Sequence, residues 1–180
     1  MKSTENFDEK KLAKAFFATG CFWGAERRFW NLDGVVETSV GYMGGNRENP
    51  SYEQICTGLT NHAEIVCVTF DPTLISYRRL LKEFWEMHDP TSLNRQGGDI
   101  GTQYRSVIFT TSDEQLQEAL ATKIIYQSLL AAESIGEIVT QIESAEPHRY
   151  WLAEEYHQKY LAKNPNGYDC HSSTGVAFNS

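Results

Sequence analysis

Apolar and polar positions alternate along this chain with periods that change from one stretch to the next. Residues 14–19 (KAFFAT) form a compact apolar run of buried-strand length, and Gly20 ends it. From Cys21 onward the period becomes helical, with Phe22, Ala25, Phe29 and Trp30 on one face. The change of period puts Cys21 where a strand turns into a helix. Residues 34–42 (GVVETSVGY) read as a strand, and 43–51 (MGGNRENPS) as a Gly/Asn/Pro loop. The run 63–70 (AEIVCVTF) is apolar on both faces, which predicts a central strand, and Pro72 closes it. Tyr77, Leu80, Leu81, Phe84, Trp85 and His88 mark a helix by their spacing.

The second half of the chain is less regular. Residues 89–104 (DPTSLNRQGGDIGTQY) form a polar loop, and loops of that length inside a domain are usually functional. A strand is predicted at 105–110, and Ser112 with Gln115 forms a capping-box start for a helix to about Ala132. A strand at 138–142 and an aromatic-rich helix at 149–161 follow. Residues 1–11 read as a polar arm or short helix, and 164–180 as a mobile, irregular tail. Together these predict a single domain over 1–180 of the α+β class, an α/β two-layer sandwich with a mixed sheet and flanking helices.

The net charge of −8, with no Lys/Arg run, argues against a nucleic-acid backbone as partner. No stretch approaches the ~20 apolar residues of a membrane span. The first residues lack the apolar core of a signal peptide, so the chain reads as cytoplasmic. Its cysteines are Cys21, Cys56, Cys67 and Cys170. None has C-x-x-C spacing, so neither a zinc site nor a thioredoxin-like motif is suggested. Cytosolic proteins seldom hold static disulfides, so each cysteine is either core filler or reagent.

Cys21 is the foremost candidate. At a helix N-terminus it faces unpaired backbone N–H groups and the positive end of the dipole, which favour the nucleophilic thiolate. The local pattern alone fits a small buried residue equally well. Phe22 and Trp23 supply one side chain for the core and one for an apolar wall beside the sulfur. Glu64 shares a strand face with Val66, Val68 and Phe70 by period-2 alternation. Held there, its carboxyl has a raised pKa and suits a general acid; bent outward, it is an ordinary strand-end glutamate. Tyr52 and Tyr104, at the ends of Gly-rich loops, can donate hydrogen bonds to a polar oxygen. Asp99 either organises its loop or touches a ligand. His62 and His88 are candidate bases, His88 reading rather as a hydrogen-bonded core residue. Cys67 and Cys56 read as buried. Cys170, in the tail, suits a resolving thiol, since a long flexible loop adds little closure cost.

These segments resemble a known family, the A-class peptide methionine sulfoxide reductases. The resemblance is carried by Gly20-Cys21-Phe22-Trp23-Gly24, Val40-Gly41-Tyr42 with Gly44-Gly45, Tyr52-Glu53 to Cys56-Thr57-Gly58, and His62-Ala63-Glu64. It continues through His88-Asp89-Pro90-Thr91 and from Asn94 to Ser106, in order and spacing, and covers about residues 14 to 170. What it implies is a ferredoxin-like core and a reductase specific for the S epimer of methionine sulfoxide, free or in proteins. By the same resemblance Cys21 is the nucleophile, Glu64 the proton donor, and Phe22 and Trp23 the cradle for the substrate methyl. Tyr52 and Tyr104 bind the oxygen, and Asp99 belongs to the pocket. No metal or organic cofactor is implied; the reductant is thioredoxin or another dithiol. The family varies in its tail cysteines. With only Cys170 after the core, the expectation is a monomer that resolves Cys21 directly with Cys170. A thiol peroxidase and a redox-sensing module are the rival readings.

Overall fold

A computed structural model describes residues 11–169 and 172–179. In chain order the elements are β1 (Ala13–Thr19), α1 (Phe22–Trp30), β2 (Val35–Met43), α2 (Tyr52–Cys56), β3 (Ala63–Phe70), α3 (Tyr77–Met87), β4 (Arg95–Gln96) and β5 (Asp99–Ile100). A 3-10 turn at Thr102–Tyr104 leads into β6 (Ser106–Thr110), α4 (Asp113–Ala132), β7 (Gln141–Ser144) and β8 (Trp151–Leu152). A 3-10 turn at Glu155–His157 and α5 (Tyr160–Lys163) follow.

Six strands form one sheet in the order β7-β6-β1-β3-β2-β8. Only the β6–β7 pair is parallel; the others are antiparallel. The inner order β6-β1-β3-β2, with α1 joining β1 to β2 and α3 joining β3 to β6, is the split βαβ arrangement of a ferredoxin-like core. Strand alternation divides the apolar residues between two faces. Ala15, Phe17, Val66, Val68 and Ile108 face the helices and meet Phe22, Phe29, Leu81, Phe84 and Tyr126. Ala18, Ile65, Val107 and Phe109 face the other way, where Ala145 and Tyr150 pack on them. Glu64 lies between buried neighbours, paired in register with Tyr42 of β2.

Several expectations are corrected. The helix expected at 149–161 is instead β8, a 3-10 turn and the short α5, with Lys159 at φ +51. Its aromatic spacing imitates a helical period, but Gln158 takes up both backbone groups of Val40 and draws the segment along β2. The strand expected at 138–142 forms at Gln141–Ser144, in register with β6. The polar loop at 89–104 contains the β4–β5 hairpin and the turn at Thr102–Tyr104. Cys56 is exposed, not buried, because α2 turns Ile55 inward in its place. Ser112 caps α4 as expected, but the Gln115 side chain accepts from Thr111 N–H at 3.0 Å and not from Ser112. A complete capping box occurs instead at Ser51 and Gln54, opening α2, an unforeseen helix. Near the C-terminus, Phe178 is buried and Tyr126 donates to the Val176 carbonyl at 2.8 Å. Cys170 lies outside the described residues.

Candidate active site

Gly20 shapes the backbone just before Cys21. Its φ of +102 suits glycine, and a Cβ there would lie 2.7 Å from Gln96 Cγ. Gln96 is buried and pins the loop below by accepting from Asp89 N–H at 3.0 Å and donating to Asp89 carbonyl at 2.6 Å. The chain then enters α1 with Cys21 as its N-cap residue, 8% exposed. No acidic residue stands in the first turn, and Arg27 and Arg28 stand in the last, so the helix end beside Cys21 keeps its positive character.

Cys21, Phe22, Trp23, Tyr52, Glu64, Asp99 and Tyr104 line one cavity of about 110 Å³, together with Tyr168. That volume equals roughly three or four waters and admits the end of a small polar side chain. Glu64 Oε1 accepts from Phe22 N–H at 3.2 Å, which ties the central strand to the first turn of α1. Burial pushes the Glu64 carboxyl up to about 8; the bond from Phe22 opposes this and the charge of Asp99 adds to it. Glu64 is therefore largely protonated at neutral pH. Burial also raises the Tyr52 and Tyr104 phenols well above their ordinary value, so both remain donors. The Tyr168 hydroxyl donates to Asp99 at 3.4 Å, and Arg27 pairs with Asp169.

The segment from Glu154 to Tyr160 supports this cavity from one side. The Glu154 carboxylate accepts from Tyr52 N–H at 3.0 Å and Tyr42 hydroxyl at 3.1 Å. Burial alone would raise its pKa, but a hydrogen bond from its own backbone N–H, followed by those from Tyr52 and Tyr42, holds it below its ordinary value. His157 accepts from the Trp23 indole at 3.0 Å, and Tyr160 stacks on Trp23 with centroids 3.8 Å apart. Lys159 pairs with buried Glu26 of α1 at 2.9 Å. Sequence reasoning missed Tyr168, Glu154 and His157. Tyr168 had a signal in its place two residues before Cys170; the others carried none.

His62 and His88, the two candidate bases, are structural. His62 accepts from Gly45 N–H at 3.0 Å and donates to the Arg47 carbonyl at 2.7 Å, which fixes the loop after β2. His88 bridges the Phe84 carbonyl and Ser106 hydroxyl, each at 2.7 Å. No group of His, Cys, Asp and Glu able to hold a metal occurs among the described residues, nor is any helix there long and apolar enough to cross a membrane.

A thiol at a helix end, sharing a small aromatic pocket with a buried carboxyl of raised pKa, fits an oxidoreductase. The chain belongs to the peptide methionine sulfoxide reductase family, whose model matches residues 13–179. It is 56% identical over 162 residues to the peptide methionine sulfoxide reductase MsrA of Vibrio vulnificus, covering 90% of this chain and 77% of that one. Among solved structures, methionine sulfoxide reductase A of Corynebacterium diphtheriae superposes with a TM-score of 0.84 at 46% identity, covering 92% of this chain and 81% of that one. Reduced Mxr1 of Saccharomyces cerevisiae gives 0.79 at 35% identity, covering 100% and 99%.

Proposed function

We propose that this chain reduces the S epimer of methionine sulfoxide, free or in proteins, with Cys21 as nucleophile and Glu64 as general acid. The observation that carries this reading is Glu64, buried in the same 110 Å³ cavity as Cys21, where burial pushes its carboxyl up to about 8. Reducing a sulfoxide needs a nucleophile at sulfur and a proton at oxygen. The Cys21 thiolate attacks the sulfur while Glu64 gives its proton to the oxygen. Tyr52 and Tyr104 donate hydrogen bonds to that oxygen, and each well-placed donor is worth about 3–4 kcal/mol in the transition state. Phe22 and Trp23 enclose the methyl group, and Asp99 completes the pocket beside Glu64.

The new sulfur–sulfur bond and the substrate S–O bond then break as the protonated oxygen passes to the Cys21 sulfur, giving methionine and a Cys21 sulfenic acid. The Cys170 thiol condenses with that acid, forming the Cys21–Cys170 disulfide and releasing water. Thioredoxin, or another dithiol, reduces the disulfide by exchange and is itself oxidised. The reaction as written needs no metal or organic cofactor. Mxr1 of yeast has been solved in complex with Trx2, which supports thioredoxin as the reductant here. The reading includes a cytoplasmic monomer carrying out protein repair after oxidative damage, with residues 164–180 as a tail that brings Cys170 into play.

A thioredoxin-coupled assay on each separated epimer tests the reading. Turnover is expected on the S epimer only, and Cys21→Ser should abolish it. Cys170→Ser should release about one methionine per chain and then stall with thioredoxin, as loss of the resolving thiol requires. Normal activity in Cys21→Ser overturns the assignment; undiminished turnover in Cys170→Ser assigns resolution to another thiol.

A further inference from the structure

His157 does not line the cavity, yet it touches three of the side chains that do. Its ring lies 5.1 Å from Phe22, 5.7 Å from Trp23 and 4.6 Å from Tyr52, centroid to centroid. It is fully buried. The Trp23 indole donates to its Nδ1 at 3.0 Å. An indole N–H can only donate, so Nδ1 carries no proton and neutral His157 holds its proton on Nε2. Nε2 has no hydrogen-bond partner among the described residues, so the Trp23 bond is the polar contact that orients the ring.

We propose that His157 is a positioning residue of the reaction, whose unprotonated Nδ1 fixes the Trp23 indole and with it the wall that receives the substrate methyl. The inference rests on the reading of the pocket given above. Trp23 is held on its face by Tyr160 of α5 and at its edge by His157, which leaves the indole little freedom to turn. Protonating His157 would set an N–H against the indole N–H and break the bond. The groups around it pull in opposite directions. Burial disfavours the imidazolium most, Glu154 favours it, and Lys163 of α5 disfavours it; Tyr52 of α2 and Tyr156 present aromatic rings. The balance lowers the His157 pKa below its ordinary value. The bond therefore persists above that depressed pKa and is lost as pH falls through it.

The test is an NMR and kinetic comparison on the full chain, with the Trp23 indole resonance identified by its loss in Trp23→Phe. In the native chain that resonance should be protected from exchange and should move only below the ordinary imidazole range. His157→Phe keeps a ring but no acceptor. It should lose the protection and raise KM for methionine sulfoxide about tenfold, the scale of an unmade buried hydrogen bond, with kcat changed far less. His157→Asn places a carbonyl oxygen near the site of Nδ1. It should recover most of the KM and give an indole resonance that no longer titrates. An unaltered Trp23 resonance in His157→Phe, or equal KM losses in both variants, would overturn the proposal. If His157→Phe does not fold, a native Trp23 indole proton that exchanges with solvent as fast as an exposed indole overturns it equally. Loss of all sulfoxide turnover in the native chain would instead remove the reading of the pocket, while the resonance would still report on the bond.

Discussion

The segment from β1 through Cys21 into α1, and the strap from β8 to α5, shape the same pocket from different sides by different physics. The first is governed by hydrophobic period: a strand, a glycine with positive φ, then an amphipathic helix. The second is short irregular pieces whose side chains each bind a different element. Glu154 takes Tyr52 and Tyr42, His157 takes Trp23, Gln158 takes Val40, and Lys159 takes Glu26. The groups proposed to react stand on or next to the regular elements, and the groups that orient the pocket come from the strap. Damage to the first should therefore strike the chemical step, and damage to the second should strike binding.

Glu64→Gln is the largest expected break on the regular side after loss of Cys21 itself. It should lower kcat by roughly two orders of magnitude, since general acid catalysis typically contributes that much or more, while KM changes little. A pure KM effect would contradict the acid role. Native kcat should also fall as pH rises through about 8, where Glu64 loses its proton. Stability gives an independent check. The folded pKa lies near 8, above the ordinary 4.5, so the folded state binds more protons between those values. Its stabilising effect is full below 4.5 and is lost as pH rises through 8. Glu64→Gln, which stays neutral, should therefore melt higher than the native chain in alkaline buffer, with the gap closing toward acid.

Gly20→Ala tests the geometry of the same segment. The new Cβ would lie 2.7 Å from Gln96 Cγ on a backbone with φ of +102, so Gln96 or the turn must shift. A cost of about 1–3 kcal/mol in denaturant unfolding is expected for such strain. A loss of kcat should accompany it, because Cys21 moves with the turn. On the strap side, Glu154→Ala removes the acceptor of Tyr52 N–H. A rise in KM of up to about tenfold is expected, the scale of one unmade hydrogen bond. A fall in kcat as large as that of Glu64→Gln would erase the proposed division between the two regions.

The same difference explains what could be read in the sequence. The strand 63–70, the helix at Tyr77 and the switch of period at Gly20 were legible because burial imposes a spacing on apolar residues. The alternation with Val66, Val68 and Phe70 left Glu64 either on their face or bent outward, and the family resemblance, not the period, chose the first. Seven candidate residues from distant segments meet in one cavity, and their motifs, more than any periodicity, pointed there. The strap was misread because Tyr150, Trp151, Tyr156, Tyr160 and Leu161 imitate a helical face. What holds it is polar and remote: Tyr52 and Glu154 are 102 residues apart, Trp23 and His157 134. No local pattern encodes such a pair. Cys56 was misjudged for a related reason: the turn of α2 that exposes it depends on a capping box whose Ser51 was read only as the end of a loop.

The ion pair between Arg27 and Asp169 should give the smallest effect and the finest distinction. It joins α1 to the residue before Cys170, so it belongs to both the regular helix and the tail. The side chains are 35% and 30% exposed, which puts the pair in the surface class worth about 0–1 kcal/mol. Arg27→Gln should therefore leave thermal stability nearly unchanged. The first methionine released per chain should appear at the native rate, because Arg27 does not line the cavity. Formation of the disulfide afterwards should slow by about twofold to fivefold at low ionic strength, the kinetic equivalent of that energy. The difference should vanish near 1 M salt, where the Debye length falls to about 3 Å. Rapid-quench measurement of methionine release against thiol loss separates the two steps. A slower first release would show that the pair supports α1 and Cys21, and an effect that persists in high salt would show that packing, not charge, couples the tail to the helix.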